Sequence, residues 1–354
     1  MLLSNILLNW YDKSKRILPF RGEKDPYKIW ISEIMLQQTK VESMIPYYNK
    51  WISKYPTVNS VASSNEEDLL KEWQGLGYYS RCRNLFKACK IIVEDYNYEV
   101  PNNWENLISL PGIGDYTASA ILSIAYNKKY SVVDGNVKRV MSRLFCFKNF
   151  TTRNKKIIKS KLDFCIPSDR PGDFNQAIME LGAVVCTPSN PKCHTCPVND
   201  FCKAYAIGRA DAYPMQKRKI IKTIPNMALM IWDKNKFLIR KRSTGSFLNG
   251  MWEIPNFDFI YNESTEKYSK TIKKLIRELN FNIKNERYLG KVKQIYSHFC
   301  AEIHLFICES NQDSLKLKKN HNWINIEEIS KYPFSNSSHK LFSLYGKEKL
   351  KVEN

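Results

Sequence analysis

Apolar residues recur every three or four positions up to about residue 205, as in IWISEIMLQQTKVESMIPYYNKW and NQAIMELGAVVC. This spacing is typical of amphipathic helices, and short breaks containing Pro, Gly or Asn separate the helical stretches. After Gly208 the pattern gives way to a basic segment with two prolines, RADAYPMQKRKIIKTIP, and then to strand-like runs such as NMALMIWDKNKFLIRKR. The chain is therefore predicted to contain an all-α domain over 1–208, a linker over 209–224 and a small α+β domain over 225–354.

The composition is that of a folded protein with a large excess of positive charge. Among 354 residues, 55 basic side chains against 35 acidic ones give a formal net charge of +20. This excess favours a polyanionic partner, because each Lys or Arg that meets a phosphate releases a condensed counterion; a merely Lys-rich surface is the alternative. No stretch approaches the roughly twenty apolar residues of a membrane-spanning helix. The N-terminal segment MLLSNILLNWYDKSKR is predicted to be a first helix, not a signal peptide.

Four of the ten cysteines crowd into one short segment with the spacing C-x6-C-x2-C-x5-C: Cys186, Cys193, Cys196 and Cys202. Thiolates this close can converge on one centre, and soft sulfur ligands select zinc or an iron–sulfur cluster. His194 is a possible extra ligand for zinc, so spacing alone leaves the two metals open. Four unrelated thiols are the remaining alternative. A cluster here would order its loop and leave Lys192 and Lys203 free to face phosphate.

A second motif, LPGIGDYTASAI at 110–121, predicts two helices joined by a tight turn at Gly112 and Gly114. The second helix should begin near Asp115, with its first amides directed at a phosphate oxygen. Further along, VVDGNVKRVMSRL places Asp134 at the start of another helix. Taken alone, an Asp in that position is interpreted as a helix N-cap.

The order of these motifs resembles the endonuclease III superfamily of DNA glycosylases. A glycine-containing hairpin, then V-D-G-N-V-x-R-V, then the cysteine loop, covers nearly the whole of the first 205 residues. The resemblance implies a helix-hairpin-helix glycosylase domain. It also implies that the four cysteines hold a 4Fe-4S cluster, in a structural or DNA-contacting role.

Two positions indicate the branch of the superfamily. The lyase branch carries a lysine where this chain has Tyr116, so no Schiff base can form there and strand cleavage is not expected. The segment SEIMLQQT at 32–39 is similar to the adenine-specific, MutY-type branch, in which its glutamate is the general acid. Glu33 would by default be a surface residue. Its apolar neighbours instead predict a half-buried carboxyl with a raised pKa.

The resemblance implies a two-carboxylate reaction. Glu33 would protonate the adenine ring, while Asp134, kept anionic near a helix N-terminus, would stabilise or trap the positive sugar. Tyr116 and Asn136 would position Asp134 and the water. A packed tyrosine and a helix-start asparagine are their alternative interpretations.

Further positions match residues of the family that contact the lesion. GLGYYSR at 75–81 is similar to the intercalating loop, whose wedge would come from Leu76 and Tyr78. The opposite base would meet Gln38 and Thr39, and the adenine pocket would include Arg21 and Gln176. Where the family commonly has Trp in L-P-W-R, this chain has Phe20.

The C-terminal part resembles the Nudix-like recognition domain of the same family, on the stretch RKRSTGSFLNGMWEIPN at 240–256. A working Nudix hydrolase needs a glutamate-rich R-E-x-x-E-E helix. This chain has Arg277 and Glu278 without the paired glutamates, so magnesium-dependent hydrolysis is not expected. The resemblance further implies that Tyr296, Ser297 and His298 form the loop that recognises 8-oxoguanine.

The expected function is therefore that of a monofunctional glycosylase of base excision repair. Its substrate would be double-stranded DNA with adenine opposite 8-oxoguanine or guanine, bound by a monomer in a bacterial cytoplasm, at the nucleoid and without a membrane partner. Three alternatives stay open: an oxidised-pyrimidine glycosylase with lyase activity, a catalytically silent lesion-binding protein, and a Nudix hydrolase with a DNA-binding extension.

Overall fold

A computed structural model describes residues 3–215, 221–258, 283–310 and 320–352. By their internal contacts the residues form two compact units. The first comprises Met1–Ser63 and Asn84–Arg218, and the second comprises Ser64–Arg83 and Lys219–Asn354. The predicted helix KYSKTIKKLIRELN, with Arg277 and Glu278, lies outside the described residues.

Helix follows helix through the described residues up to 206, as the apolar periodicity predicts. The helices are α1 Leu3–Ser14, α2 Pro26–Leu36, α3 Val41–Lys54, α4 Val58–Ala62, α5 Glu66–Glu72, α6 Ser80–Asp95, α7 Trp104–Ser109, α8 Asp115–Ile124, α9 Gly135–Phe145, α10 Thr152–Cys165, α11 Pro171–Val184 and α12 Lys203–Ala206. Within the described ranges, no helix is both long enough and apolar enough to cross a membrane.

Side-chain caps fix where the helices of the first unit begin. Asp25 accepts a hydrogen bond from Tyr27 N at 2.9 Å and precedes Pro26 at the first position of α2. Helices α8 and α11 contact each other, and α2 packs against α8 while α9 packs against α11. Their shared core includes Val137, Phe174 and Leu181, each at most 1% exposed. This packing holds α2, α8, α9 and α11 around one cavity.

The second unit is built on a mixed sheet, which confirms the predicted α+β character. Its strands are β1 Lys222–Asp233, β2 Lys236–Lys241, β3 Trp252–Glu253, β4 Asn256–Asp258, β5 Ile283–Ile295, β6 Phe299–Ser310 and β7 His321–Ile324, followed by helix α13 Asn336–Val352. The order is β3-β2-β1-β6-β5, with β4 on β1 and β7 on β2. Only the β1–β6 ladder among these described strands is parallel. Central β1 has a continuous buried run, from Met227 to Ile231, as expected for a strand covered on both faces.

Candidate active site and cysteine loop

One cavity of about 650 Å³ in the first unit collects the four residues predicted to be catalytic and four predicted to contact bases. They are Glu33, Tyr116, Asp134 and Asn136, with Arg21, Gln38, Thr39 and Gln176. Phe20 also lines the cavity and packs edge-on against Tyr48, so this position keeps an aromatic wall. Residues far apart in sequence therefore meet in one concave, mixed polar and apolar site.

Glu33 is more deeply buried than the sequence suggested, with 6% of its surface exposed. The Tyr116 hydroxyl donates a hydrogen bond to Glu33 Oε2. Burial raises the pKa of Glu33 to about 7, with a further increase from the negative charge of Asp134. The Tyr116 hydrogen bond and the positive charge of Arg21 act in the opposite direction. Near neutral pH this carboxyl can therefore hold a proton and give it up, as a general acid must.

Asp134 is the N-cap of α9, so the simple interpretation of its position was right. Its Oδ1 accepts from Val137 N at 2.7 Å, and its Oδ2 accepts from Asn136 Nδ2 at 3.1 Å. Burial raises the pKa of Asp134 above its usual value, and these hydrogen bonds oppose that increase. The upward direction differs from the expectation that the helix N-terminus would dominate, because the effect of burying the carboxyl outweighs that of its hydrogen bonds. Capping and lining the cavity are compatible roles for one carboxylate.

A chain of hydrogen bonds that the sequence analysis missed runs from Asp134 to the cysteine loop. Asn136 Oδ1 accepts from Arg139 Nη2 at 2.9 Å, and Arg139 Nε donates to the carbonyl of Cys186 at 2.7 Å. Gly182 allows the close approach of α9 and α11, because a Cβ there would lie 2.6 Å from Asn136 Cβ. The spacing of Asn136 and Arg139, three residues apart on one helix, was the available signal.

A second hydrogen-bond network in the wall of the cavity joins Arg21 to Gln176 and Glu180. Arg21 Nη1 donates to Gln176 Oε1 at 2.7 Å, and Arg21 Nη2 donates to Glu180 Oε2 at 2.8 Å. Glu180 is only 2% exposed and was not singled out from the sequence. It lies one helical turn after Gln176, which was the only sequence signal for it.

The helix-hairpin-helix turn joins α7 to α8, and α8 begins at Asp115 as predicted. Gly112 has φ 81°, and a Cβ there would lie 2.7 Å from Asn84 Cβ, so both conformation and space require glycine. At Gly114, the N-cap of α8, a Cβ would meet nothing within 4 Å. The start of α8 is therefore open to a backbone or phosphate.

The turn at 75–81 belongs to the second unit, and its two predicted wedge residues differ in exposure. Tyr78 is 39% exposed with φ 50°, whereas Leu76 is 8% exposed. Buried Arg81 donates to the carbonyls of Leu76 at 3.2 Å and Gly77 at 2.9 Å, which fixes the turn. In this conformation Tyr78 is accessible to DNA, and Leu76 belongs to the core.

The four clustered cysteines line one small cavity of about 20 Å³ together with Arg143. Arg143 is 2% exposed, and its Nη1 lies 3.2 Å from Cys186 Sγ. Four soft sulfur ligands beside a buried cation suit an anionic iron–sulfur cluster. No group of Cys, His, Asp or Glu among the described residues converges closely enough to hold a single metal ion. His194, the possible zinc ligand, instead lies 3.2 Å from the Tyr205 hydroxyl.

The segment predicted to recognise the lesion, Tyr296–His298, forms the tip of the β5–β6 hairpin in the second unit. Tyr296 N donates to the carbonyl of Phe299 at 2.8 Å, so Ser297 and His298 occupy the turn and are exposed. The Tyr296 hydroxyl donates to Ser337 Oγ at 3.1 Å, and its ring packs against Phe247 at 4.9 Å. The tyrosine anchors the tip, while the serine and histidine face solvent.

Family models match three parts of the chain. Residues 31–165 match the HhH-GPD superfamily of base excision DNA repair proteins, residues 186–202 match the iron–sulfur binding domain of endonuclease III, and residues 227–344 match the NUDIX domain. A solved thermostable thymine-DNA glycosylase aligns with a TM-score of 0.54 and 29% identity, covering 58% of this chain and 95% of that one. Fold and motifs together define a DNA glycosylase that carries a 4Fe-4S cluster.

The relatives define the family within that class. The adenine DNA glycosylase of Buchnera aphidicola subsp. Schizaphis graminum is 40% identical over 263 residues, which cover 73% of this chain and 75% of the relative. The human adenine DNA glycosylase is 31% identical over an alignment covering 96% of this chain and 73% of the relative. The chain belongs to the adenine DNA glycosylase family.

Proposed function

We propose that this protein removes adenine opposite 8-oxoguanine or guanine in double-stranded DNA, by hydrolysing the N-glycosidic bond without cutting the strand. The observation that carries the proposal is the pair of carboxyls in one cavity, Glu33 and Asp134, with different environments. Glu33 is almost fully buried with a pKa of about 7, whereas Asp134 accepts two hydrogen bonds at a helix N-terminus. Such a contrast supports Glu33 as the acid and Asp134 as the anion.

In the proposed reaction, Glu33 transfers its proton to a ring nitrogen of the extruded adenine. The bond from the sugar to the base then breaks, and its electron pair leaves with the protonated base. Asp134 stabilises the positive charge that develops on the sugar, or traps it covalently. A water molecule then attacks the sugar carbon, breaking the bond to Asp134 where one has formed, and its proton passes to a carboxylate of the site. Asn136 holds Asp134, and Tyr116 holds Glu33, through the hydrogen bonds described above.

Recognition residues complete the proposal. Arg21 and Gln176 would contact the adenine, Gln38 and Thr39 the opposite base, and Tyr78 would enter the base stack as adenine leaves it. Ser297 and His298, exposed beside Tyr296, would read 8-oxoguanine. Gly112 and Gly114 would admit the DNA backbone. The cluster, ligated by Cys186, Cys193, Cys196 and Cys202, would supply structural order and no catalytic step.

The test uses an end-labelled duplex with one adenine opposite 8-oxoguanine, sized with and without hot alkali after incubation with the holoprotein. Cleavage of the adenine strand only after alkali is expected, because Tyr116 has no amine to form a Schiff base. Cleavage without alkali would show that the protein is a lyase. Intact strands in both samples, with binding retained, would leave a lesion-binding protein and remove the roles given to Glu33 and Asp134.

A further inference from the structure

Glu180 on α11 is a buried carboxylate that holds two arginines of the cavity wall. It is 2% exposed, and its Oε1 accepts from Arg16 Nε at 2.6 Å and from the backbone N of Arg16 at 3.2 Å. Its Oε2 accepts from Arg16 Nη2 at 3.2 Å and from Arg21 Nη2 at 2.8 Å. Both carboxylate oxygens are therefore used, each with charge-assisted hydrogen bonds.

The arginines that it holds lie in a segment with little structure of its own. Arg16 and Arg21 belong to the connection between α1 and α2, which has no helix or strand. Arg16, Leu18, Phe20 and Arg21 line the cavity. Long flexible side chains on an irregular segment lose considerable entropy when fixed, so their orientation depends on the groups that anchor them. Arg21 has Gln176 and the Tyr11 ring as further neighbours, and Arg16 has Glu42 at 3.6 Å.

We propose that Glu180 is a positioning residue, which fixes Arg16 and Arg21 in the wall of the adenine pocket and balances their charge. The inference rests on the proposed function, because the pocket must accept adenine for the arrangement to matter to the reaction. Glu180 itself touches no reacting atom in this proposal. Its contribution is a preformed wall that need not reorganise when the base enters.

The charge balance has a consequence for the general acid. The ionisable groups that influence Glu33 are Tyr116 from α8, Asp134 at the start of α9 and Arg21 from the α1–α2 connection. The positive charge of Arg21 lowers the pKa of Glu33. Without the carboxylate of Glu180, that positive charge loses its nearest counter-charge, and the pKa of Glu33 should fall further. The high-pH limb of the rate profile then moves to lower pH.

The experiment measures single-turnover adenine excision from pH 5 to 9, on the duplex with adenine opposite 8-oxoguanine. The variants are Glu180→Gln, which keeps the shape and removes the charge, and Glu180→Asp, which keeps the charge and shortens the reach. The control is Asp12→Asn, because Asp12 pairs with Arg170 at 2.7 Å and neither residue lines the cavity. Arginine Nε–H exchange, measured by NMR and assigned with Arg16→Lys and Arg21→Lys, reports the positioning without requiring activity.

For Glu180→Gln we expect a rate about tenfold lower at pH 8 and less affected at pH 6, since one unit of pKa is tenfold in the protonated fraction. Duplex affinity should be retained and the arginine Nε–H signals should exchange faster. In Asp12→Asn, the high-pH decrease of the excision rate should occur at the same pH as in the wild type. If Glu180→Gln does not fold, Glu180→Asp decides: it should keep the wild-type limb with a lower rate and faster exchange.

Either of two results overturns the inference. The first is a Glu180→Gln variant in which both the high-pH decrease of the excision rate and the arginine Nε–H exchange match the wild type. The second is a Glu180→Asp variant in which both the excision rate and the exchange match the wild type. The wild-type protein could also lack excision activity while its arginine Nε–H groups exchange slowly and those of Glu180→Gln exchange fast. That result would support the positioning role of Glu180 and remove the proposed function. The two failures are thus distinguishable.

Discussion

The cavity of the helical unit and the hairpin tip of the sheet unit differ in how they hold the residues proposed to be functional. In the cavity, Glu33 and Glu180 are almost completely buried, and each is hydrogen-bonded by a side chain from another part of the chain. At the tip, Ser297 and His298 are exposed, and only Tyr296 behind them is anchored. The cavity residues are hydrogen-bonded within the protein, whereas under the proposed function the tip residues would find their partners in DNA.

Under the proposed function, this difference would separate catalysis from discrimination. Buried ionisable groups have pKa values and orientations set by the protein, so substituting them should change both rate and stability. Exposed polar groups make their contacts with a ligand and not with the rest of the protein. Substituting them should therefore change the preference between ligands and leave the stability of the folded protein unchanged. The predictions below test this contrast from the largest effect to the smallest.

The largest effect is expected for Glu33→Gln, which cannot donate a proton to the base. Single-turnover adenine excision should fall by about a thousandfold or more, within the range for loss of a general acid. Because the pKa of Glu33 is raised from 4.5 to about 7, ionisation destabilises the fold. The cost is absent below about pH 4 and grows toward pH 8, where the variant should be more stable by up to about 3 kcal/mol. Denaturant unfolding at the two pH values measures this difference.

The control is Asp12→Asn, an exposed carboxyl outside the cavity, which should show neither the loss of excision nor the gain in stability at pH 8. The Arg170 hydrogen bond lowers the pKa of Asp12, so any change in the stability of this variant at pH 8 should be a decrease. Equal stability of Glu33→Gln and the wild type at pH 8 would contradict the raised pKa. Near-normal excision by Glu33→Gln would contradict its role as the acid.

Asp134→Asn should lower excision by about a hundredfold to a thousandfold, the range for removing one electrostatic contact to a charged transition state. An asparagine can still cap α9 through its Oδ1, so folding should survive with a loss of at most about 1 kcal/mol. Single-turnover rates and thermal melting measure the two quantities. A large loss of stability with an unchanged rate would show that Asp134 is only a cap.

The sequence predicted those parts of the fold and site that depend on local pattern. Helical periodicity identified the helices of the first unit, and the apolar neighbours of Glu33 indicated a buried carboxyl, although not how deeply it is buried. The cysteine spacing predicted a soft-metal site and left zinc and an iron–sulfur cluster open, and the resemblance to the endonuclease III superfamily favoured the iron–sulfur domain that the family comparison confirms. These features are encoded within a few turns of one another.

The parts that were missed depend on contacts between distant segments. Glu180 meets Arg16 across 164 positions, and no local pattern reports such a pair. In the second unit, Ser64–Arg83 packs with the sheet residues through contacts such as Trp252 Nε1 to Glu67, although its helical pattern resembles that of the first unit. Leu76 and Tyr78 lie two residues apart in the same glycine-containing turn, and only the packing of that turn decides that Leu76 is buried.

Tyr116→Phe should have an intermediate effect, with excision lowered by about tenfold at the pH optimum because the acid loses its orienting hydrogen bond. That hydrogen bond lowers the pKa of Glu33, so its loss should raise the pKa and move the high-pH limb to higher pH. Glu180→Gln should move the same limb to lower pH. Rate profiles of the two variants in one buffer series measure both shifts, and a shift in the same direction for both would refute this electrostatic description.

The smallest effect on rate is expected for Ser297→Ala combined with His298→Ala at the hairpin tip. Both side chains are exposed, so melting should be unchanged, whereas excision of adenine opposite 8-oxoguanine should fall by only a few fold. Excision opposite guanine should change less, because the lost contacts are those that distinguish the oxidised base. The ratio of the two rates is therefore the sensitive measurement. An equal decrease for both duplexes would make the tip a general DNA contact, and the preference for 8-oxoguanine would then have to originate elsewhere in the protein.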